Sequence, residues 1–96
     1  MVNDTEWDEN KNATNLEKHK VDFETAKKIW LGPVIENQDT RFNYGEDRFI
    51  ALGDADGTVL VVVYTWRGSI RRIISARKAG SDERRAYNKT LRCRSD

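Results

Sequence analysis

The sequence predicts an α+β fold, an antiparallel β-sheet packed with two amino-terminal helices and one carboxy-terminal helix. Three observations carry this reading. Apolar residues recur at helical spacing ahead of Gly32-Pro33. The period then shortens towards two between Val34 and Lys78. Charges between Ser81 and Arg92 are ordered by sign along the chain, as a helix macrodipole favours.

Taken in order, Asp8 is suited to cap a helix running to about Lys20, with Ala13, Leu16 and the stems of His19 or Lys20 on its inner side. The rest of that helix is polar, which places it on the surface. A second helix starts at Asp22. Val21 before the cap and Ala26 inside it form a hydrophobic staple, and Phe23, Ala26, Ile29 and Trp30 share one face. Gly32-Pro33 ends it. Val34 to Thr40 reads as a short edge strand, and Arg48 to Gly53 as the next, with Phe49 and Ala51 opposite Ile50 and Leu52. A turn at Asp54-Ala55-Asp56-Gly57 leads into Thr58 to Trp66, whose Val59-Leu60-Val61-Val62-Val63 run is the strongest strand signal in the chain. Apolar on both faces, it belongs at the centre of the sheet beneath the helices. Arg67-Gly68-Ser69 turns the chain into Ile70 to Lys78, which pairs back. The last helix spans about Ser81 to Arg92, with Asp82 and Glu83 in its first turn and Lys89 and Arg92 in its last. Thr5 to Trp7 offers a short strand for a sheet edge.

A chain of 96 residues supports one core, so residues 1–96 are expected to form a single domain. The net charge of +1 conceals an uneven distribution: residues 1–66 hold seven Lys/Arg against thirteen Asp/Glu, and residues 67–96 hold ten against three. This is the pattern of a basic surface that meets phosphate, or of a solvated basic tail. Cys93 is the only cysteine, which excludes an intrachain disulfide and suits a reducing cytoplasm. The start Met-Val-Asn-Asp-Thr-Glu-Trp-Asp lacks the features of a signal peptide, and no apolar run is long enough to span a bilayer; a cytoplasmic protein with no membrane partner is expected. One Cys and one His do not make a structural zinc site, and the six glycines are scattered at turns, so no cofactor is expected.

The segment Arg71-Arg72-Ile73-Ile74-Ser75-Ala76-Arg77-Lys78 carries four cations in eight residues, more than a core strand needs. Regular alternation places Arg71, Ile73, Ser75 and Arg77 on one face and Arg72, Ile74, Ala76 and Lys78 on the other. Arginine suits phosphate because its planar fork donates paired hydrogen bonds and keeps its charge. A charged edge strand guarded against aggregation has the same composition.

The run from Arg72 to Ala79, followed by Glu83-Arg84 and Tyr87, resembles the carboxy-terminal signature of the BrnT toxin family. Glu6-Trp7-Asp8, Lys11, Asn15, Lys18-His19, Val21, Phe23 and Ala26 resemble that family's amino-terminal motif, and Glu46, Arg48 and Gly53 its middle stretch. Together the three blocks span nearly the whole chain in order. The resemblance implies a RelE-like fold, RNA cleavage as the toxic activity, and neutralisation by a small BrnA-type antitoxin with a ribbon-helix-helix part, through which alone operator DNA would be contacted. Ile70-Arg71 stands where the family often has Arg and Ile, so the resemblance lends Arg71 no role.

The implied chemistry uses the 2′-hydroxyl of the RNA as nucleophile, on or off the ribosome. It needs a general base, a cationic stabiliser for the phosphorane-like charge and an acid for the leaving 5′-oxygen. Arg72 and Arg77 are the candidate stabilisers and Ser75 positions a phosphate oxygen. In a regular strand the two arginines face opposite sides, so either a bulge re-aims one or only one is catalytic. Glu46 or His19 is the candidate base, and Lys78, Tyr87 or His19 the candidate acid. Imidazole suits proton transfer near neutrality, although a lone histidine near a helix end is more often a packing or capping residue. Arg48, Arg67, Arg84 and Tyr87 are candidate RNA contacts. Glu46 and Arg48 also fit a surface ion pair, and Tyr87 a core aromatic with its hydroxyl at the rim. Trp7 and Trp30 read as core, and Trp66 as a packing residue or a base-stacking one. The competing reading is a non-catalytic basic module that binds RNA, the ribosome or a protein.

Overall fold

The run Val59 to Val63 forms the middle of β4 (Thr58–Arg67), the central strand of a five-stranded sheet. In this computed structural model residues 4–94 are described, without the side chains of Cys93 and Arg94. The other strands are β1 (Thr5–Trp7), β2 (Val34–Asp39), β3 (Arg48–Ala55) and β5 (Ile70–Lys78), and the order across the sheet is β1-β5-β4-β3-β2. β2, β3, β4 and β5 pair antiparallel in sequence. β1 joins the edge parallel to β5, with Glu6 opposite Arg72, so the expected antiparallel sheet is a mixed one. Two helices and three strands lie between β1 and β5, the long crossover that a parallel pair requires.

The β3–β4 connection is tighter than the sequence suggests. Ala55 pairs with Thr58, leaving Asp56 and Gly57 as a two-residue turn with φ of 52° and 90°. Both values lie in the left-handed region that such hairpins demand. Asp54 and Ala55 therefore continue the strand, and the Asp54 carboxylate accepts from the Gly57 N–H at 2.8 Å.

Each face of the sheet has its own apolar cluster. On one, Phe23, Ala26 and Ile29 bury Ala51, Leu60, Val62, Tyr64, Ile73 and Ala76. Asp22 caps α2 (Phe23–Ala26) by accepting from the Thr25 N–H, and the chain then tightens into a 3-10 turn, Lys27–Leu31, where a continuous α-helix was expected. Ile29 in that turn rests on Gly53, where a Cβ would stand only 2.7 Å from the Ile29 Cβ. On the other face, Tyr87 of α3 (Ser81–Arg94) packs on Val59 and Val61, joined by Ile35, Ile50, Leu52 and Leu91.

The first helix, α1 (Glu9–His19), is capped by Asp8 as expected, with Lys20 in the left-handed conformation closing it. Its attachment departs from the apolar stripe expected: Ala13, Leu16, His19 and Lys20 are exposed. Asn12 and Asn15 hold it instead. The Asn12 side-chain oxygen accepts from the Phe23 N–H at 2.8 Å. Asn15, 6% exposed, accepts from the Ala76 N–H and donates to the carbonyls of Ala76 and Val21. A polar helix is thus fastened by amide hydrogen bonds, which suit a helix with too few apolar residues to bury a stripe. Among the described residues no helix is long and apolar enough to cross a membrane.

Candidate functional site

The site begins with an irregularity in β5. Val63 pairs with Ser75 and Tyr64 with Ile73, so Ile74 is an extra residue without a partner on β4, a β-bulge. Strict alternation would separate Arg72 from Arg77. With the bulge, Arg72, Ser75 and Arg77 share the face of their β4 partners Thr65, Val63 and Val61. Ile73 and Ala76, three residues apart, both enter the cluster beneath α2, as the same bulge requires. Arg71 and Lys78 point to that opposite side. α3 covers the Val59–Val61 end of the arginine face. Beyond it Val63, Ile50, Arg72 and Ser75 are only half-buried, forming an open floor beside Arg48.

Every guanidinium at this floor is held by a carboxylate. Arg72 donates to Glu6 across the parallel β1–β5 pair. Arg77 makes a bidentate pair with Glu83 at 2.8 Å for each bond. Arg48 donates to Glu46 at 3.4 Å while lying 4.1 Å from the Tyr44 ring centre. At the rim, Arg41 donates twice to Asp39, at 2.9 and 3.0 Å, and the Tyr44 hydroxyl donates to the same carboxylate at 3.1 Å. The Arg77 hydrogen bond, helped by the Gly80 N–H, brings the Glu83 carboxyl down to about 2, and the same bond raises Arg77. Arg41 likewise holds Asp39 well below the usual carboxylate range. Each arginine fork is thus oriented by a carboxylate partner.

Past the edge of β5 the floor continues into a cavity of about 360 Å³ lined by Lys11, Lys18 and His19 of α1 and by Ile74 and Ser75. Of the candidate catalytic residues, the fold thus gathers Arg72, Ser75 and Arg77 on one face, sets Glu46 beside Arg48 on the β3 side, and sets His19 across the β5 edge. Lys78 is apart from them, lining a second cavity on the opposite face with Asp22 and Asp56. Tyr87 is 2% exposed and its hydroxyl donates to the Pro33 carbonyl at 2.8 Å. Burial raises that hydroxyl above its ordinary value. Arg84 donates to the Ala79 carbonyl at 3.0 Å, and Arg67 is exposed at the end of β4. Trp66, 36% exposed, packs with Trp30 and Tyr64 around the Arg71 guanidinium, which lies 4.6 to 5.6 Å from the three ring centres.

Glu6 is a candidate that chemical reading of the sequence passed over. It stands in the same motif block as Trp7 and Asp8, but its pairing with Arg72 depends on a contact 66 residues away in sequence. Among the described residues no three His, Cys, Asp or Glu side chains converge as metal ligands.

Comparison with known proteins bears on the arrangement. Residues 7–83 match the family model described as ribonuclease toxin, BrnT, of type II toxin-antitoxin system. Among solved structures, the chain is similar to the crystal structure of the Brucella abortus ribonuclease toxin BrnT. The identity is 27% and the TM-score 0.62, with 83% of this chain and 100% of the other covered. Comparison with curated protein sequences gave no significant match.

Proposed function

The chain belongs to the BrnT family of ribonuclease toxins of type II toxin–antitoxin systems, within the RelE-like superfamily, and on that premise we propose that it is an endoribonuclease that cleaves RNA without a metal and is neutralised by a BrnA-type antitoxin. The observation that carries the reading is the bulge at Ile74, which sets Arg72, Ser75 and Arg77 on one open face.

The 2′-hydroxyl of the substrate attacks the adjacent phosphorus while the bond to the 5′-oxygen breaks, leaving a 2′,3′-cyclic phosphate and a free 5′-hydroxyl. Arg72 and Arg77 stabilise the charge that accumulates on the equatorial oxygens, and the Ser75 hydroxyl positions one of them. Arg48 holds a neighbouring part of the backbone. Proton transfer falls to His19 on the α1 side and to a carboxylate that an arginine releases when it turns to phosphate, Glu6 beside Arg72 or Glu46 beside Arg48. Groups on opposite sides of β5 suit an in-line displacement, which needs its base and acid on opposite sides of the phosphorus.

The antitoxin covers the same face. An acidic or amphipathic segment would replace Glu6 and Glu83 as partner of the arginines, and complementary charge speeds its association. Expression of the chain alone, beside an Arg77→Ala version, tests the activity. Growth arrest with RNA fragmentation that the variant abolishes is expected. Intact RNA in arrested cells would favour a binding module instead. Co-purification with the product of a neighbouring reading frame tests the partner.

A further inference from the structure

The arginines of the sheet face are each neutralised by a carboxylate, whereas the cations of the adjoining cavity are not. Lys11 and Lys18 are exposed, and among the described residues neither ammonium takes part in a hydrogen bond or ion pair. No carboxylate lines the cavity. Lys11, Asn15 and Lys18 follow one another at i, i+4 and i+7, so they share a stripe of α1. The middle member is buried and tied to both backbone groups of Ala76, which presses that stripe against the edge of β5. Two ammonium groups, the His19 ring and the Ser75 hydroxyl therefore line an open cleft of about 360 Å³, within the size range of small-ligand sites.

The bulge gives this cavity its connection. Ile74, the extra residue, lines it, and Ser75 lines it too while sharing the sheet face with Arg72 and Arg77. A strand of RNA lying across the arginines thus passes over Ser75 into a concave, uncompensated positive site. We infer that this α1–β5 cavity is a subsite for the phosphodiester flanking the scissile one, held by Lys11 and Lys18. The inference rests on the ribonuclease reading and adds two residues and a direction to it: the bound strand runs off the sheet edge towards α1, away from α3.

The test uses a single-stranded oligonucleotide with 2′-O-methyl groups, which binds but has no hydroxyl for the cleavage reaction. Its affinity is measured against salt for the wild-type chain, for the Lys11→Gln/Lys18→Gln double variant, and for a Lys89→Gln/Arg92→Gln control with the same charge change on α3. The cavity variant is expected to bind about tenfold more weakly near 0.1 M salt, with a slope of log affinity against log salt reduced by about 0.7 for the phosphate released. The control should stay close to wild type. Equal weakening in both variants would mean that net charge alone is at work and would overturn the subsite. So would an unchanged slope in the cavity variant, and if the wild-type chain still cleaves unmodified RNA, the ribonuclease reading then survives its loss. If inorganic phosphate binds as strongly as the oligonucleotide and the cavity variant loses only the former, the cavity is an anion site unconnected with RNA. A wild-type chain that neither binds nor cleaves RNA overturns both.

Discussion

Asn15 pairs with Ala76 as a neighbouring strand would: its side-chain oxygen accepts from the Ala76 N–H at 3.0 Å and its amide donates to the Ala76 carbonyl at 2.7 Å. β1 covers β5 only as far as Ile73. One helix side chain therefore supplies, just beyond the bulge, the edge bonding that the missing strand would have made.

Replacing Asn15 with alanine should cost about 2–4 kcal/mol, since it strands the N–H and carbonyl of Ala76 and the carbonyl of Val21 in a buried setting. Urea denaturation of the variant measures this. A loss under about 0.5 kcal/mol, the level of an ordinary surface change, would show that α1 is not held this way.

Gly53 owes its place to close approach. A Cβ there meets the Ile29 Cβ at 2.7 Å and the Val34 Cγ1 at 2.9 Å, and Ile29 is fully buried. Gly53→Ala should destabilise the fold by about 1–3 kcal/mol through overpacking. Thermal melts should show it as a clear drop in Tm, and partial rescue by Val34→Ala, which removes the Cγ1 that the new Cβ meets at 2.9 Å, would identify crowding as the cause.

The Arg77–Glu83 pair sets an acid limb on stability. The Glu83 carboxyl falls from 4.5 to about 2 on folding, so its contribution is complete above the unfolded value and is lost as pH falls towards 2. Both side chains are more than a third exposed, at 46% and 39%, which limits the contribution to within about 1 kcal/mol. Glu83→Gln should lower the urea midpoint at pH 6 and converge with the wild-type chain near pH 2. A gap that widened towards acid would contradict the assignment.

Much of the fold was legible because local chemistry determines it. Asp8 and Asp22 mark helix starts, the unbroken apolar run Val59–Val63 identified the central strand, and alternation along Arg48–Gly53 set Phe49 and Ala51 against Ile50 and Leu52. What escaped depends on contacts distant in sequence. The parallel docking of β1 on β5 leaves no periodic trace in three residues. A bulge that brings Arg72 and Arg77 to one face stood as one of two alternatives, but its position did not show, because Ile74 is an ordinary β-branched residue with no glycine to mark it. A helix anchored by Asn12 and Asn15 reads as merely polar. The candidate residues themselves were mostly visible as residue types. Their grouping was not, because whether Lys78 or Ser75 joins the arginines depends on that single inserted residue.

The central claim is that Arg72 and Arg77 act on one phosphate from one face, and a double-mutant cycle on the rate of RNA cleavage tests it most directly. Arg72→Ala and Arg77→Ala should each slow cleavage strongly, and the double variant should be little slower than the worse of the two, because groups that stabilise one transition state act as a unit. Arg92→Ala, on the far part of α3, provides the baseline. If instead the two losses simply multiply, with all three variants folded as the wild-type chain is, the arginines contribute independently to a diffuse basic surface, and the shared site created by the bulge is contradicted.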